Sequence, residues 1–91
     1  MDAATFQPQR FQAEIGSLID EVEACLNAAG DDREARLQRE AFRERCERAR
    51  SLARRLADAA DSEQRLLDGD AHRLREALAL SRDFFRRRAQ R

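Results

Sequence analysis

Two cysteines, Cys25 and Cys46, and one histidine, His72, are the side chains of this chain whose types could hold a metal or act as nucleophiles. A structural zinc site needs such ligands in close pairs, separated by about two to four residues, whereas these three are far apart in the sequence. A Cys–His nucleophile would also need oxyanion donors, and no glycine-rich turn is available to supply them. The sequence therefore predicts neither a metal site nor a nucleophilic site.

Carboxylates are abundant, but on the predicted second helix they alternate with arginines, as around Glu40, Glu44 and Glu47. A pair such as Glu44 and Arg48, four residues apart, forms a weak ion pair on a helix surface. A catalytic acid needs an apolar pocket that raises its pKa, and this pattern provides none. Phosphate-binding glycine motifs are also missing. We predict a protein without enzymatic activity and without a cofactor.

The composition is typical of a small all-α domain, because alanine, leucine, glutamate and arginine favour helices and the absence of Trp and Tyr disfavours sheets. Of the 91 residues, 42% are apolar and 40% charged. However, 17 of the apolar residues are alanine and only 19 are large, which is a thin supply for the core of a chain this short.

Nothing in the sequence predicts contact with a membrane. No apolar run approaches the roughly 20 residues that span a bilayer. The first residues also lack the basic and apolar segments of a signal peptide. We therefore expect a cytoplasmic protein.

Apolar spacing predicts one helical domain over residues 9–91, preceded by a flexible arm at residues 1–8 that contains Pro8. The first helix is expected over about residues 9–29, because large or small apolar residues recur there at steps of three and four. These residues are Phe11, Ile15, Leu18, Val22, Cys25, Leu26 and Ala29.

A tight turn is expected to follow the first helix, making an antiparallel helical hairpin. Gly30 can adopt a left-handed conformation at the end of the first helix. Asp31 and Glu34, three residues apart, have the form of a capping box for the second helix.

The second helix is expected to begin at residue 32 and to end at one of two signals. Asp61 with Gln64 resembles a cap, which gives a helix over 32–60. Asp68-Gly69-Asp70 resembles a break, which gives a helix over 32–67. Its apolar stripe contains mostly alanine and so buries little area: Ala35, Phe42, Cys46, Ala49, Leu52, Ala53, Leu56, Ala59 and Ala60.

The third helix, expected over residues 70–89, continues two neighbouring apolar lines. The first line is Leu67, Ala71, Leu74, Leu78, Ser81 and Phe85, and the second is Leu66, Ala77, Leu80 and Phe84. Adjacent residues on a helix point about 100° apart, so one core is not expected to enclose both Phe84 and Phe85. We expect Phe85→Ala to reduce mainly stability and Phe84→Ala to reduce mainly binding.

The predicted hairpin also separates the two cysteines. Cys25 lies shortly before the turn and Cys46 well after it, which offsets them by roughly 15 Å along the helix axis. Bridged cysteines have Cα atoms within about 7 Å. We therefore expect no disulfide and two small buried side chains.

Charge is sorted along the chain although the formal net charge is zero. Residues 1–32 carry one Arg against seven acids, residues 33–60 nine Arg against five acids, and residues 61–91 eight Arg against six acids. The acidic first helix is therefore expected to pair with the Arg-rich second helix.

Near the C-terminus, five arginines lie within residues 82–91. They could contact nucleic acid, but a neutral protein is a poor binder of polyanions and a helix end rich in arginine also complements the helix dipole.

Three helices with few large apolar residues should leave apolar surface uncovered, and such surface marks interfaces. A groove for a partner's amphipathic helix is one interpretation. The alternative is a symmetric homodimer in which the second helix of one copy covers that of the other. A nucleic-acid-associated factor is the third and least favoured.

The expected partner-binding surface lies on the third helix. Aromatic and arginine side chains dominate binding hot spots, and several stand together on its wide apolar face. The predicted residues are Leu74, Leu78, Arg82, Phe84, Phe85 and Arg86.

Three segments of the sequence stand out together: Leu18-Ile19-Asp20-Glu21-Val22-Glu23-Ala24-Cys25-Leu26, the turn Gly30-Asp31-Asp32, and the later Ser62-Glu63-Gln64-Arg65-Leu66-Leu67, which leads to Leu74 and Leu78. These segments resemble the small helical chaperones of flagellar and type III export. The resemblance covers about residues 11–80. It implies an all-helical, non-enzymatic protein that binds the helical end of a client through a hydrophobic face, as a chaperone or adaptor.

Overall fold

The computed structural model describes residues 8–90, which form three α-helices: α1 (Pro8–Cys25), α2 (Arg33–Asp58) and α3 (Asp61–Ala89). A short 3-10 turn, Asn27–Ala29, follows α1. The all-α prediction is confirmed, and the described residues contain no strand. The predicted N-terminal arm lies outside the described residues except for Pro8, which begins α1.

The three helices alternate in direction, so that α2 runs antiparallel to both α1 and α3. Arg88 at the end of α3 contacts Asp32 at the start of α2, which shows the antiparallel pairing of these two helices. Contacts from Glu14 to Arg75 and from Glu21 to Arg82 show that α1 and α3 lie parallel. α3 contacts both of the other helices more extensively than they contact each other.

One continuous core fills the space between the helices. Phe11, Val22, Leu56, Leu78 and Phe85 are its largest fully enclosed apolar side chains. Its other members follow the predicted stripes, with Ile19 as an addition: Ile15, Ile19, Ala29, Phe42, Cys46, Ala49, Leu52, Leu67 and Ala71. Both cysteines are free, Cys46 in the core and Cys25 half-buried beside it.

The alanine-rich stripe of α2 is covered by the same chain. Ala35 and Ala49 are completely enclosed, as is Leu56. These buried positions of the stripe therefore do not need a second copy to cover them. Small side chains let the helix backbones approach closely enough that α1 and α3 exclude water from it.

The turn between α1 and α2 is held by one long side chain. Gly30 has the positive φ of 87° that favours glycine, and Asp32 caps α2 by accepting a hydrogen bond from the backbone N–H of Ala35 at 3.3 Å. The cap is one residue later than the predicted Asp31. Arg39 reaches back and donates to the carbonyl oxygens of Leu26 at 2.7 Å and Gly30 at 2.6 Å. The Leu26 carbonyl oxygen also accepts from the backbone N–H of Ala29 at 3.4 Å, so Arg39 adds a second hydrogen bond there and ties the turn to α2.

α2 ends at Asp58, near the earlier of the two predicted ends, and the extended residues Ala59 and Ala60 lead directly into α3. Gln64 donates to the carbonyl oxygens of Leu56 and Ala59 and so closes the end of α2.

The prediction that a third helix begins at residue 70 is wrong, because α3 begins at Asp61 and passes through Asp68-Gly69-Asp70 without a break. Leu67 and Ala71, on either side of Gly69, are both buried in the same core. A glycine inside a helix costs only about 1 kcal/mol. Burial of the residues around it outweighs that cost, so the glycine does not end the helix.

The sequence predicts that the acidic first helix pairs with α2, but in the structure it pairs with α3. Glu14 lies 2.6 Å from Arg75, and Glu21 lies 2.9 Å from Arg86 and 3.8 Å from Arg82. The reason is the packing, because α1 contacts α3 more extensively than it contacts α2. Within residues 8–90 no helix is long and apolar enough to cross a membrane.

Candidate docking face

The six predicted partner-binding residues of α3 do not share one surface. Leu78 and Phe85 are completely enclosed in the core. A partner that docks on the folded domain cannot reach them, so these two do not belong to a binding surface. They point between α1 and α2, where apolar side chains from three helices meet.

Arg82 and Arg86 lie on the side of α3 next to α1, where both contact Glu21. Arg88, further along, contacts Asp32 at 2.9 Å and Glu34 at 3.3 Å. The Arg88 guanidinium, through its hydrogen bond to Asp32, holds the pKa of that carboxyl below its usual range. Three arginines of the basic C-terminal segment are thus neutralised within the chain.

Leu74 and Phe84 are the two predicted residues that keep exposed apolar surface. Both are half-buried and pack against the edge of the core. The Phe84 ring stands edge-to-face on Phe85, with centroids 5.0 Å apart, and the Arg88 guanidinium lies 5.1 Å from its centre. Phe84 is therefore held in place at a surface rather than buried.

The surface next to Phe84 is the outer face, defined as the side of the α2–α3 pair opposite α1. Two stripes form it, each with steps of three and four residues that keep side chains on one side of a helix. On α2 the stripe is Leu37, Ala41, Glu44, Arg48, Ser51 and Arg55, and on α3 it is Leu66, Asp70, Arg73, Ala77, Leu80 and Phe84.

Exposed leucines are concentrated on this outer face. Within the described part of the chain, the large hydrophobic side chains that stand exposed are Leu37 at 55%, Leu66 at 80% and Leu80 at 65%. All three belong to the two stripes. Scattered exposed leucines need no explanation, but three on one face of a 91-residue chain form a patch.

A groove of about 570 Å³ runs between the two stripes, with an apolar floor and a basic rim. No residue of α1 lines it. The residues that do are Arg45, Arg48, Ser51, Leu52, Arg55, Asp70, Arg73, Leu74 and Ala77.

The four arginines of the groove differ in what they contact. Arg45 donates to the Ala77 carbonyl oxygen at 3.1 Å and to the hydroxyl of buried Ser81 at 2.6 Å, which ties α2 to α3. Arg73 pairs with the exposed Asp70 at 3.1 Å. Arg48 and Arg55 have no ion pair or hydrogen bond within residues 8–90. These two guanidiniums are free to bind an anionic group.

A second groove lies between α1 and α2, and none of the three exposed leucines stands on that side of α2. Its floor includes Ile15, Ile19 and Ala49, which are at most 9% exposed. Arg50 and Arg54 stand on one side and Asp20 on the other. Because exposed apolar area drives docking, the outer face is the better candidate.

Cys46 and His72, two of the side chains whose types could do chemistry, lie on different helices. Burial raises the pKa of the Cys46 thiol, which keeps it protonated and unreactive at neutral pH. Among the described residues no group of three or more His, Cys, Asp or Glu side chains is placed to hold a metal ion. His72 lies 3.1 Å from Glu76 on an exposed helix surface.

Sequence reasoning recognised the second apolar line of α3 but did not assign Leu66, Ala77 and Leu80 to the site. It also missed Leu37 and the groove arginines. One signal was available: between Glu47 and Asp58 the helix carries four arginines and no acid. No protein-family model matches the chain, and the searches of curated proteins and of solved structures returned no match.

Proposed function

We propose that the chain is a non-enzymatic protein–protein interaction module that binds an amphipathic helix of a partner protein on its outer face. The observation that carries this proposal is the collection of Leu37, Leu66 and Leu80 on one face that nothing in the described structure covers. A helix laid along the α2–α3 groove would complete a four-helix arrangement and bury these side chains.

The dimensions of the face suit a helix. Leu37 and Arg55 are separated by 18 positions on α2, which is about 27 Å at 1.5 Å per residue. Leu66 and Leu80 span about 21 Å on α3. A partner helix of roughly 14 to 18 residues covers this length.

The expected affinity is moderate. Burial of the exposed parts of the three leucines, which together equal about two whole side chains, contributes roughly 3–6 kcal/mol, and association costs about 4–15 kcal/mol in lost freedom. Polar contacts must therefore add to the apolar ones, and we expect a Kd of about micromolar. An affinity of this order suits a protein that holds a client and releases it, as a chaperone or adaptor of the export class would do.

Variants at exposed positions test the proposal without disturbing the fold. Leu37→Glu combined with Leu80→Glu places charges in the apolar patch. Ala13→Glu, at an exposed position of α1, adds charge elsewhere and is the control. The wild-type protein is crosslinked to its partner in an extract of the source organism. The captured partner is then purified and titrated calorimetrically against each variant.

We expect the double variant to lose at least tenfold in affinity, which is about 1.4 kcal/mol, while Ala13→Glu binds like wild type. Equal binding by all three proteins contradicts the proposal. Sedimentation velocity separates the alternative function: a dimer that forms at low concentration and dissociates in the Leu80→Glu variant indicates self-association through this face instead.

A further inference from the structure

The charges of the outer face indicate what kind of helix it selects. We infer that the partner helix is acidic at its centre and apolar on both sides of that centre. This inference rests on the proposed function. On α3, Arg73 lies seven residues from Leu66 and seven from Leu80. Seven residues are two helical turns, or about 10.5 Å, so the three side chains follow one another along the same line.

α2 adds to the same central basic segment. Arg48 lines the groove across from Arg73, and Arg55, seven residues further along α2, lines it nearer the Leu66 end. Asp70 is the single acid among the residues that line the groove, against four arginines. Leu37 and Leu80 lie at one end of this basic segment, and Leu66 lies at the other end.

Asp70 pairs with Arg73, but no acid within residues 8–90 forms an ion pair with Arg48 or Arg55. Glu14 and Glu21 contact arginines on the side of α3 that faces α1. Asp32 contacts Arg88. Arg48 and Arg55 are both exposed, so carboxylates of a partner can reach them and bind through paired hydrogen bonds.

Two other occupants fit less well. A second copy would bring the same arginines against their counterparts and repel. A nucleic acid needs aromatic side chains on which its bases can stack. The floor and both ends of the groove carry leucines instead. The Phe84 ring is already covered on one side by Arg88.

Three fluorescent helical peptides of about 20 residues test the inference. The first has leucines 14 positions apart with two glutamates midway, the second has glutamines in place of the glutamates, and the third has lysines there. We expect the first to bind about tenfold more tightly than the second, equivalent to 1.4 kcal/mol, and the third to bind most weakly. The preference should fall as ionic strength rises from about 0.05 to about 0.5 M.

Matched charge reversals on α2 locate the effect. Arg48→Glu with Arg55→Glu should abolish the preference for the acidic peptide. Arg50→Glu with Arg54→Glu makes the same change of charge on the side facing α1 and should leave the preference within about twofold.

Equal binding of the first two peptides, absence of binding by all three, or equal losses in both charge-reversed proteins overturns the inference. Tighter, Arg48-dependent binding of a labelled DNA duplex also overturns it. The proposed function is judged separately, because capture of the natural partner through Leu37 and Leu80 can succeed even where acidic peptides show no advantage.

Discussion

The two sides of α3 both carry leucine and phenylalanine but have different surroundings. Leu67 is 5% exposed and its neighbour Leu66 is 80% exposed. Phe85 is enclosed in the core, and its neighbour Phe84 stands half-buried at the surface. Apolar character alone therefore does not decide burial. The direction in which each side chain leaves the helix decides it, since α1 and α2 cover one side of α3 and not the other.

Charged residues show the same contrast. On the side next to α1, the arginines of α3 contact carboxylates of α1, as Arg75 does with Glu14. On the outer face, Arg48 and Arg55 lack such partners within the described residues. The side of α3 next to α1 therefore combines buried apolar residues with ion pairs between helices, whereas the outer face has exposed leucines and two arginines without an ion pair in the described part of the chain.

The largest expected difference between the two sides comes from the phenylalanines. Phe85→Ala removes a fully buried ring that also contacts Phe42 and Phe84, and we expect a loss of about 3–5 kcal/mol in the free energy of unfolding. Phe84→Ala should cost about 1 kcal/mol, because its ring is only half-buried. Urea denaturation followed by circular dichroism measures both. Equal losses would mean that the two sides of α3 do not differ as described.

A leucine pair tests the contrast without aromatic contacts. Leu78→Ala, in the enclosed core, should cost about 2–5 kcal/mol. Leu80→Ala, at a 65% exposed position, should change stability by no more than about 0.5 kcal/mol. Thermal denaturation of both variants is the measurement. A destabilised Leu80→Ala protein would show that the outer face is covered in solution.

Gly69 offers a test at the backbone of the exposed side. A Cβ atom at this position would lie 3.5 Å from the end of the Arg73 side chain, an ordinary contact. Gly69→Ala should therefore raise the free energy of unfolding by about 0.5–1 kcal/mol, because alanine favours the helix. A loss of stability would indicate that the Asp68–Asp70 segment leaves the helix, as the sequence first suggested.

The smallest effect is expected at the ion pair between α1 and α3. The hydrogen bond from Arg75 lowers the pKa of Glu14 below its ordinary value of 4.5. Since the pKa is lower in the folded state than in the unfolded state, this stabilisation is complete above pH 4.5 and is lost as the pH falls through the lower folded value. Glu14→Gln should be less stable than wild type at pH 7 by up to about 1 kcal/mol. Denaturation at a series of pH values should show the difference disappearing in acid, and a constant difference would contradict this origin.

Local patterns predicted more of the fold than of the site. The stripe from Phe11 to Val22 and the stripe from Phe42 to Leu56 follow directly from helical periodicity, and the structure confirms them. Arg39 could not be predicted as the residue that holds the first turn, because its acceptors are carbonyl groups 9 and 13 residues away. The helix break predicted at Gly69 is absent, because burial of Leu67 and Ala71 on either side outweighs the tendency of glycine to interrupt a helix.

The amino-acid sequence determined the helical class, the two apolar lines of α3 and the excess of arginine on α2, since these properties depend on residue type and on spacing within one helix. Only the tertiary structure decided which line α1 and α2 cover, and hence that Leu78 forms core while Leu80 forms surface. The physical reason is that the angle between neighbouring side chains is set by the helix. Their exposure to water, in contrast, is set by where the other helices pack.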